Sequence, residues 1–187
     1  MIVGIDEVGR GCLAGPVCVA AVALDVPIEG LGDSKQIPAP IRAELSLQVK
    51  QLASFVGIGW AGPGEVDTLG LTAALRRAAL RAMQGCTKEV TQILLDGTHN
   101  YIGDKRVRTI VKGDATEPRI SAASIVAKVA RDRYMQVVDG TFPGYGFASH
   151  VGYATKFHRD AITSQGPCDI HRMSFAPLKL IGNALAD

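Results

Sequence analysis

Apolar and polar positions along this chain switch between a period of two and a period near 3.6, and the switches outline its elements. Ile2 to Ile5 is an apolar run of strand length, stopped by two adjacent carboxylates, Asp6 and Glu7. Pro16 to Leu24, rich in valine and alanine, predicts a second strand and a hairpin partner for the first. Pro27 to Pro40 is a proline-bounded loop that carries Asp33-Ser34-Lys35. Helical periodicity over Ile41 to Leu52 precedes a third strand, Phe55 to Trp60. Pro63-Gly64-Glu65 opens a short turn or helix, and Thr72 is placed to cap an Ala/Leu/Arg helix to about Met83. Two further strands, Thr91 to Leu95 and Val107 to Val111, stop at Asp96-Gly97 and at Lys112-Gly113-Asp114. A long helix follows over Pro118 to Val138, with proline in the first turn, where its missing N–H costs nothing. Tyr145 to Tyr153 is a glycine-rich loop leading into another helix, and Phe175 to Leu185 predicts the last one. Trp60 and the phenylalanines read as core. The mixture predicts an α/β fold with a central mixed sheet of about five strands flanked by helices. At 187 residues, one domain spanning 1–187 is expected, since two full domains would be cramped.

Composition narrows the class. Hydrophobic residues make up 47% of the chain, enough for a core of its own. The longest apolar stretch, around Val17 to Leu24, is strand-sized, which argues against a membrane span. The first residues show no basic, apolar and cleavage regions of a signal peptide, so a cytoplasmic, monomeric protein is expected. Cys12, Cys18, Cys86 and Cys168 form no CxxC pair and no zinc-like spacing with the four histidines, so they read as reduced thiols. Residues 1–100 hold 8 Lys/Arg against 10 Asp/Glu, whereas residues 101–187 hold 12 against 8. That basic bias is compatible with a polyanionic partner.

The chemistry lies in the acids. Three predicted strands end at carboxylates: Asp6-Glu7, Asp96 and, past a Lys-Gly, Asp114. Ends of strands in α/β sheets are where sites are built, so these acids can converge. Side chains alternate across a strand, so Asp6 and Glu7 start on opposite faces. For both to serve one site the strand must end or bend there, which Gly9 and Gly11 permit. Carboxylates without paired histidines favour hard ions, Mg²⁺ or Mn²⁺ over zinc. Two such ions roughly 3.5–4 Å apart can activate a water and stabilise a leaving oxygen in phosphoryl displacement. Arg10, between the two glycines, can fork onto a phosphate.

These residues carry a resemblance. GIDEVGRGCLAGPV (Gly4–Val17), DSK (Asp33–Lys35), LLDG (Leu94–Gly97), VKGDA (Val111–Ala115), ISAASIVAKVARDR (Ile120–Arg133), YGFASHVGYAT (Tyr145–Thr155) and HRMSF (His171–Phe175) occur in the order found in ribonuclease HII. The chain resembles that bacterial family from Val3 to about Pro177. The resemblance implies a ribonuclease H-like fold and four metal-binding catalytic carboxylates, Asp6, Glu7, Asp96 and Asp114. It implies that Gly9-Arg10-Gly11 reads the junction between a ribonucleotide and the next deoxyribonucleotide, its backbone meeting the 2′-hydroxyl. Tyr153 looks like the family tyrosine that stacks on the following deoxy sugar. Ala154 stands where the family commonly has glycine, and Thr98-His99 is a less typical insertion with no assigned role.

Around that site, Ser121, Ser124, Lys128, Arg131 and Asp132 share one face of the long helix at about 100° per residue. Ser124 and Lys128 are candidates to hold a nucleic-acid backbone, and a Lys128–Asp132 ion pair is the competing use. Lys35 is a phosphate candidate through its motif. His171-Arg172 is expected to fix the last helix by hydrogen bonds. What the resemblance implies is a two-metal endonuclease acting on RNA–DNA hybrid and on DNA duplex containing ribonucleotides, cutting 5′ of a single embedded ribonucleotide. The alternatives are a ribonuclease HIII-like enzyme, which commonly has a different turn from Gly-Arg-Gly, and an inactive nucleic-acid-binding module, which retention of all four acids disfavours.

Overall fold

All seven residues of β2 (Val17–Ala23) are buried, so both faces of this strand must be covered. In the computed structural model, which describes residues 1–179, β2 lies in a five-stranded sheet ordered β3-β2-β1-β4-β5. β1 is Ile2–Val8, β3 Phe55–Ala61, β4 Gln92–Asp96 and β5 Val107–Ile110. The first three strands are antiparallel neighbours, while β4 and β5 run parallel to β1. The expected hairpin of the first two strands and the mixed sheet are both present.

Odd positions of β1 and β2 (Val3, Ile5, Val17, Val19, Ala21) face α3 (Leu71–Met83) through Ala74, Leu75, Ala78 and Ala82. Even positions (Val8, Cys18, Ala20, Val22) face α5 (Pro118–Asp139) through Ala122, Ala123, Val126 and Ala127, and α1 (Ala39–Leu52) through Val49. Alanines on both helices let the backbones come close to the sheet. At Gly4 the approach is closest: a Cβ there would stand 2.3 Å from the Arg119 carbonyl carbon, so α5 begins directly over β1. A third apolar cluster, with Met135, Tyr145, Phe147 and Ile162, packs α6 (Phe147–His150) and α7 (Lys156–Gln165) on the far end of α5.

Several boundaries differ from the expected ones. β1 does not stop at Ile5; it carries Asp6 and Glu7 inside the strand, opposite Ala20 and Val19. Thr72 caps nothing. α2 (Pro63–Leu69) and α3 are split by Gly70, which is the cap residue at φ 78°, a conformation that resists a side chain. The Lys112-Gly113-Asp114 stop is a single helical turn, α4 (Gly113–Thr116). Phe147 is fully buried as expected, but Phe157 is 61% exposed. The expected last helix, Phe175 to Leu185, lies from Leu180 onward outside the described residues. All four cysteines are free thiols, and no helix among the described residues is long and apolar enough to cross a membrane.

Candidate active site

The parallel ladder between β1 and β4 ends at Ile5↔Leu95, and Asp96 is the last residue of β4. Beyond it β1 continues to Val8 paired with β2. A notch therefore opens beside residues 6 to 8, and side chains from both faces of β1 reach it. Asp6 points toward α5. Glu7 points to the opposite face, where the Tyr101 hydroxyl donates to its Oε2 at 3.1 Å and Arg10 Nη1 to its Oε1 at 2.8 Å. No bend in the strand is needed: the end of β4 does what the glycines were expected to do.

Asp96 builds the next wall. Its Oδ1 accepts the Gly113 amide at 2.7 Å and the Asp114 amide at 3.4 Å, which fixes α4 against the sheet and brings Asp114 over the notch. Lys112, at φ 55°, makes the tight entry to that turn. On the other side Ser121 Oγ donates to the Asp114 carbonyl at 2.6 Å, tying α4 to α5. The Asp33-Ser34-Lys35 loop is docked by a 2.8 Å contact between the Ser34 and Ser124 hydroxyls, both buried.

The result is a crevice of about 520 Å³ that every candidate residue lines: Asp6, Glu7, Gly9, Arg10, Gly11, Lys35, Asp96, Asp114, Ser124, Lys128 and Tyr153. Val8, Ser34 and Arg42 complete it. Lys128 also pairs with Asp132 at 2.8 Å, so the competing ion pair is present as well. Two of the four acids are raised. Burial, then the Glu7 charge, pushes the Asp6 carboxyl up to about 8, with the Ser124 hydroxyl offsetting part of this. Burial and the Asp96 charge raise Asp114. An oxygen-only donor set in which Asp6 and Asp114 resist ionisation is one that a hard divalent cation relieves. Among the described residues no three such side chains already stand at mutual liganding distance. Magnesium commonly takes few protein carboxylates and completes its shell with water and substrate phosphate.

Two features were not visible in the sequence. Arg131, which shares a helical face with Ser124 and Lys128, is fully buried; its guanidinium donates to the carbonyls of Pro16 (2.9 Å), Val151 (2.8 Å) and Ala14 (3.1 Å). Arg172 donates to the Gly15 carbonyl (3.0 and 2.8 Å) and the Arg10 carbonyl (3.0 Å); the last helix that it was expected to fix lies from Leu180 onward outside the described residues. Both arginines therefore hold the Gly9–Pro16 loop from below. Gly9 has φ 97°, and a Cβ there would meet Arg131 Nε at 2.3 Å, so glycine is required. The other feature is Tyr101, just past the Thr98-His99 insertion, whose hydroxyl is pushed well above its ordinary range by burial and by Glu7. Tyr101→Phe is expected to lower kcat about tenfold with KM within twofold, the value of one hydrogen bond to a carboxylate. Steady-state kinetics checks this.

The comparisons decide the family. The model of the family described as Ribonuclease HII matches residues 3–178. The chain belongs to the ribonuclease HII family. The ribonuclease HII of Streptomyces avermitilis is 41% identical over 181 residues, covering 95% of this chain and 78% of that one. The structure of the PCNA:RNase HII complex from Archaeoglobus fulgidus superposes with a TM-score of 0.77 at 25% identity, covering 92% of each chain. Bst-RNase HIII in complex with Mn²⁺ shares the fold at a TM-score of 0.71 and 19% identity, covering 99% of this chain and 69% of that one. A ribonuclease H-type endonuclease thus has its fold and its family on independent grounds.

Proposed function

We propose that the chain hydrolyses the RNA strand of RNA–DNA hybrids and cuts 5′ of single ribonucleotides embedded in duplex DNA, leaving 3′-hydroxyl and 5′-phosphate ends. The observation that carries this reading is the single crevice lined by Asp6, Glu7, Asp96 and Asp114 together with the Gly9–Gly11 turn and Tyr153. Those four carboxylates would hold two divalent ions, Mg²⁺ or Mn²⁺. When bound, such ions supply an activated water and charge stabilisation at a phosphate. Lys35, Lys128 and Ser124 line the side of the crevice where a backbone phosphate would lie, and Arg10 would exchange Glu7 for phosphate as substrate enters. The backbone of Gly9–Gly11 would take the 2′-hydroxyl. Tyr153 would lie against the deoxy sugar that follows, which gives the cut its direction. The enzyme is read as a monomer working in the cytoplasm.

The test is a cleavage assay on three duplexes: a hybrid, all-DNA, and DNA with one ribonucleotide. Cleavage of the first and third with Mg²⁺, none of the second and none in chelator, is the expected result. Cutting of the hybrid alone would move the chain to ribonuclease HIII-like chemistry, and binding without any cutting would make it an inactive module.

A further inference from the structure

Three histidines outside the catalytic crevice, His150, His158 and His171, are buried together behind Tyr153. His158 Nδ1 lies 2.9 Å from the Tyr153 carbonyl oxygen, and its Nε2 lies 3.0 Å from His171 Nε2. A carbonyl only accepts, so His158 Nδ1 must carry the proton. In the neutral ring His158 Nε2 is then an acceptor, and His171 Nε2 must be the donor between them. That leaves His171 Nδ1 as an acceptor, and the Cys168 amide donates to it at 2.9 Å. The proton positions are thus set along the whole line: Cys168 N–H to His171, His171 to His158, His158 to the Tyr153 carbonyl.

The surroundings keep both rings neutral. His150 from α6 stacks on His158 at 4.4 Å, with its own nitrogens used by the Gly152 amide and the Tyr145 carbonyl. Phe147 stands edge-on to His158 at 5.3 Å. The titratable groups facing the pair are His150, Cys168 and Tyr145, none of them an anion at neutral pH. Burial pushes His158 down to about 4 and lowers His171 as well. The line is also anchored on the substrate side: His171 forms a β-bridge with Ala14, and the Leu13 amide donates to the Gly152 carbonyl at 2.9 Å.

We propose that His171 and His158 are positioning residues, a one-way hydrogen-bond relay that fixes the Tyr153 backbone and so sets its ring against the substrate sugar. This rests on the reading of Tyr153 given above. The relay explains why two histidines without a charge partner among the described residues are buried next to a substrate loop. It registers Tyr153 to the Gly9–Gly15 loop through His171, so the two parts that read a ribo–deoxyribo junction move as one.

Histidine-ring ¹H–¹⁵N spectra of the whole protein should show the proton on Nδ1 of His158 and on Nε2 of His171; the opposite pair of tautomers would overturn the relay. His171→Asn retains an acceptor for the Cys168 amide but removes the donor to His158. It should shift the ¹³C′ signal of Tyr153 and raise KM for the single-ribonucleotide duplex about five- to tenfold, with kcat within twofold, as expected for one hydrogen bond. In Tyr153→Ala protein the same substitution should leave KM within twofold. An unmoved Tyr153 carbonyl signal, or a full further loss in the Tyr153→Ala background, overturns the proposal. The carbonyl signal is read without substrate. A shifted signal with an uncut junction duplex would overturn the substrate reading instead.

Discussion

Asp6→Asn should abolish nearly all cleavage while making the metal-free protein more stable. The side chain sits 6% exposed at the floor of the crevice, beside Glu7 and Asp96. Loss of one anionic ligand at a phosphoryl-transfer site removes several kcal/mol of charge stabilisation, which corresponds to a fall in kcat on the order of 10³-fold. Stability moves the other way, and its sign follows from linkage. The folded carboxyl holds its proton up to a pH of about 8, whereas the unfolded one releases it near 3.8. Between those values the unfolded chain binds fewer protons, so the wild-type protein loses stability as pH rises from about 4 to about 8 and then levels off. Asparagine has no such dependence. The variant should match wild type at pH 4 and exceed it at pH 8 by several kcal/mol, about 1.4 kcal/mol for each pH unit crossed. Thermal melts in chelator across that range check this. Added Mg²⁺ should raise the melting temperature of wild type and leave the variant's nearly unchanged.

Arg131→Met is expected to be among the most destabilising single changes in the chain. The Pro16 and Ala14 bonds are buried and the Val151 bond part-buried, and among the described residues none of the three carbonyls has another donor. Methionine fills the volume but leaves those oxygens without a partner, at a cost of about 3 kcal/mol. A neighbouring Arg172→Met should cost a similar amount. Because both guanidiniums hold the Gly9–Pro16 loop, the two losses should not add: the double variant should fall short of the sum by about 1 kcal/mol or more. Denaturant unfolding of the two single variants and the double variant measures this. A small effect for either one would mean that the loop is held by other contacts.

Much of this architecture was legible in the residues because local and global signals agree. The apolar run of β2 and the Pro118 start of α5 each state one structure. What could not be read depended on partners distant in sequence. Asp6 and Glu7 meet in one notch because β4 stops at Asp96, ninety positions on, and no property of Ile2–Glu7 contains that. Arg131 shares a helical face with Lys128, and periodicity alone assigns both to the surface; only the course of the Ala14–Pro16 and Val151 backbone makes it a buried clamp. Tyr101 lies in a segment without a matching motif, and its role comes from a hydroxyl that reaches Glu7 across the fold. Thr72 was misplaced as a cap because Gly70 breaks the helix by conformation, without a side-chain signal.

The order of the strands bears on how the enzyme is made. β1, the earliest strand in the chain, occupies the middle of the sheet, and its parallel neighbour β4 pairs Gln92 with Ile2. During translation the β1–β2–β3 meander can zip up from nearby contacts, yet one rim of β1 stays open until β4 has cleared the ribosome. The ladder that closes that rim, Ile2 to Ile5, stops just short of Asp6 and Glu7. A nascent chain that has not yet added β4 also lacks the wall that Asp96 builds, and the unpaired Ile2–Ile5 edge is open to a chaperone or to a second nascent chain.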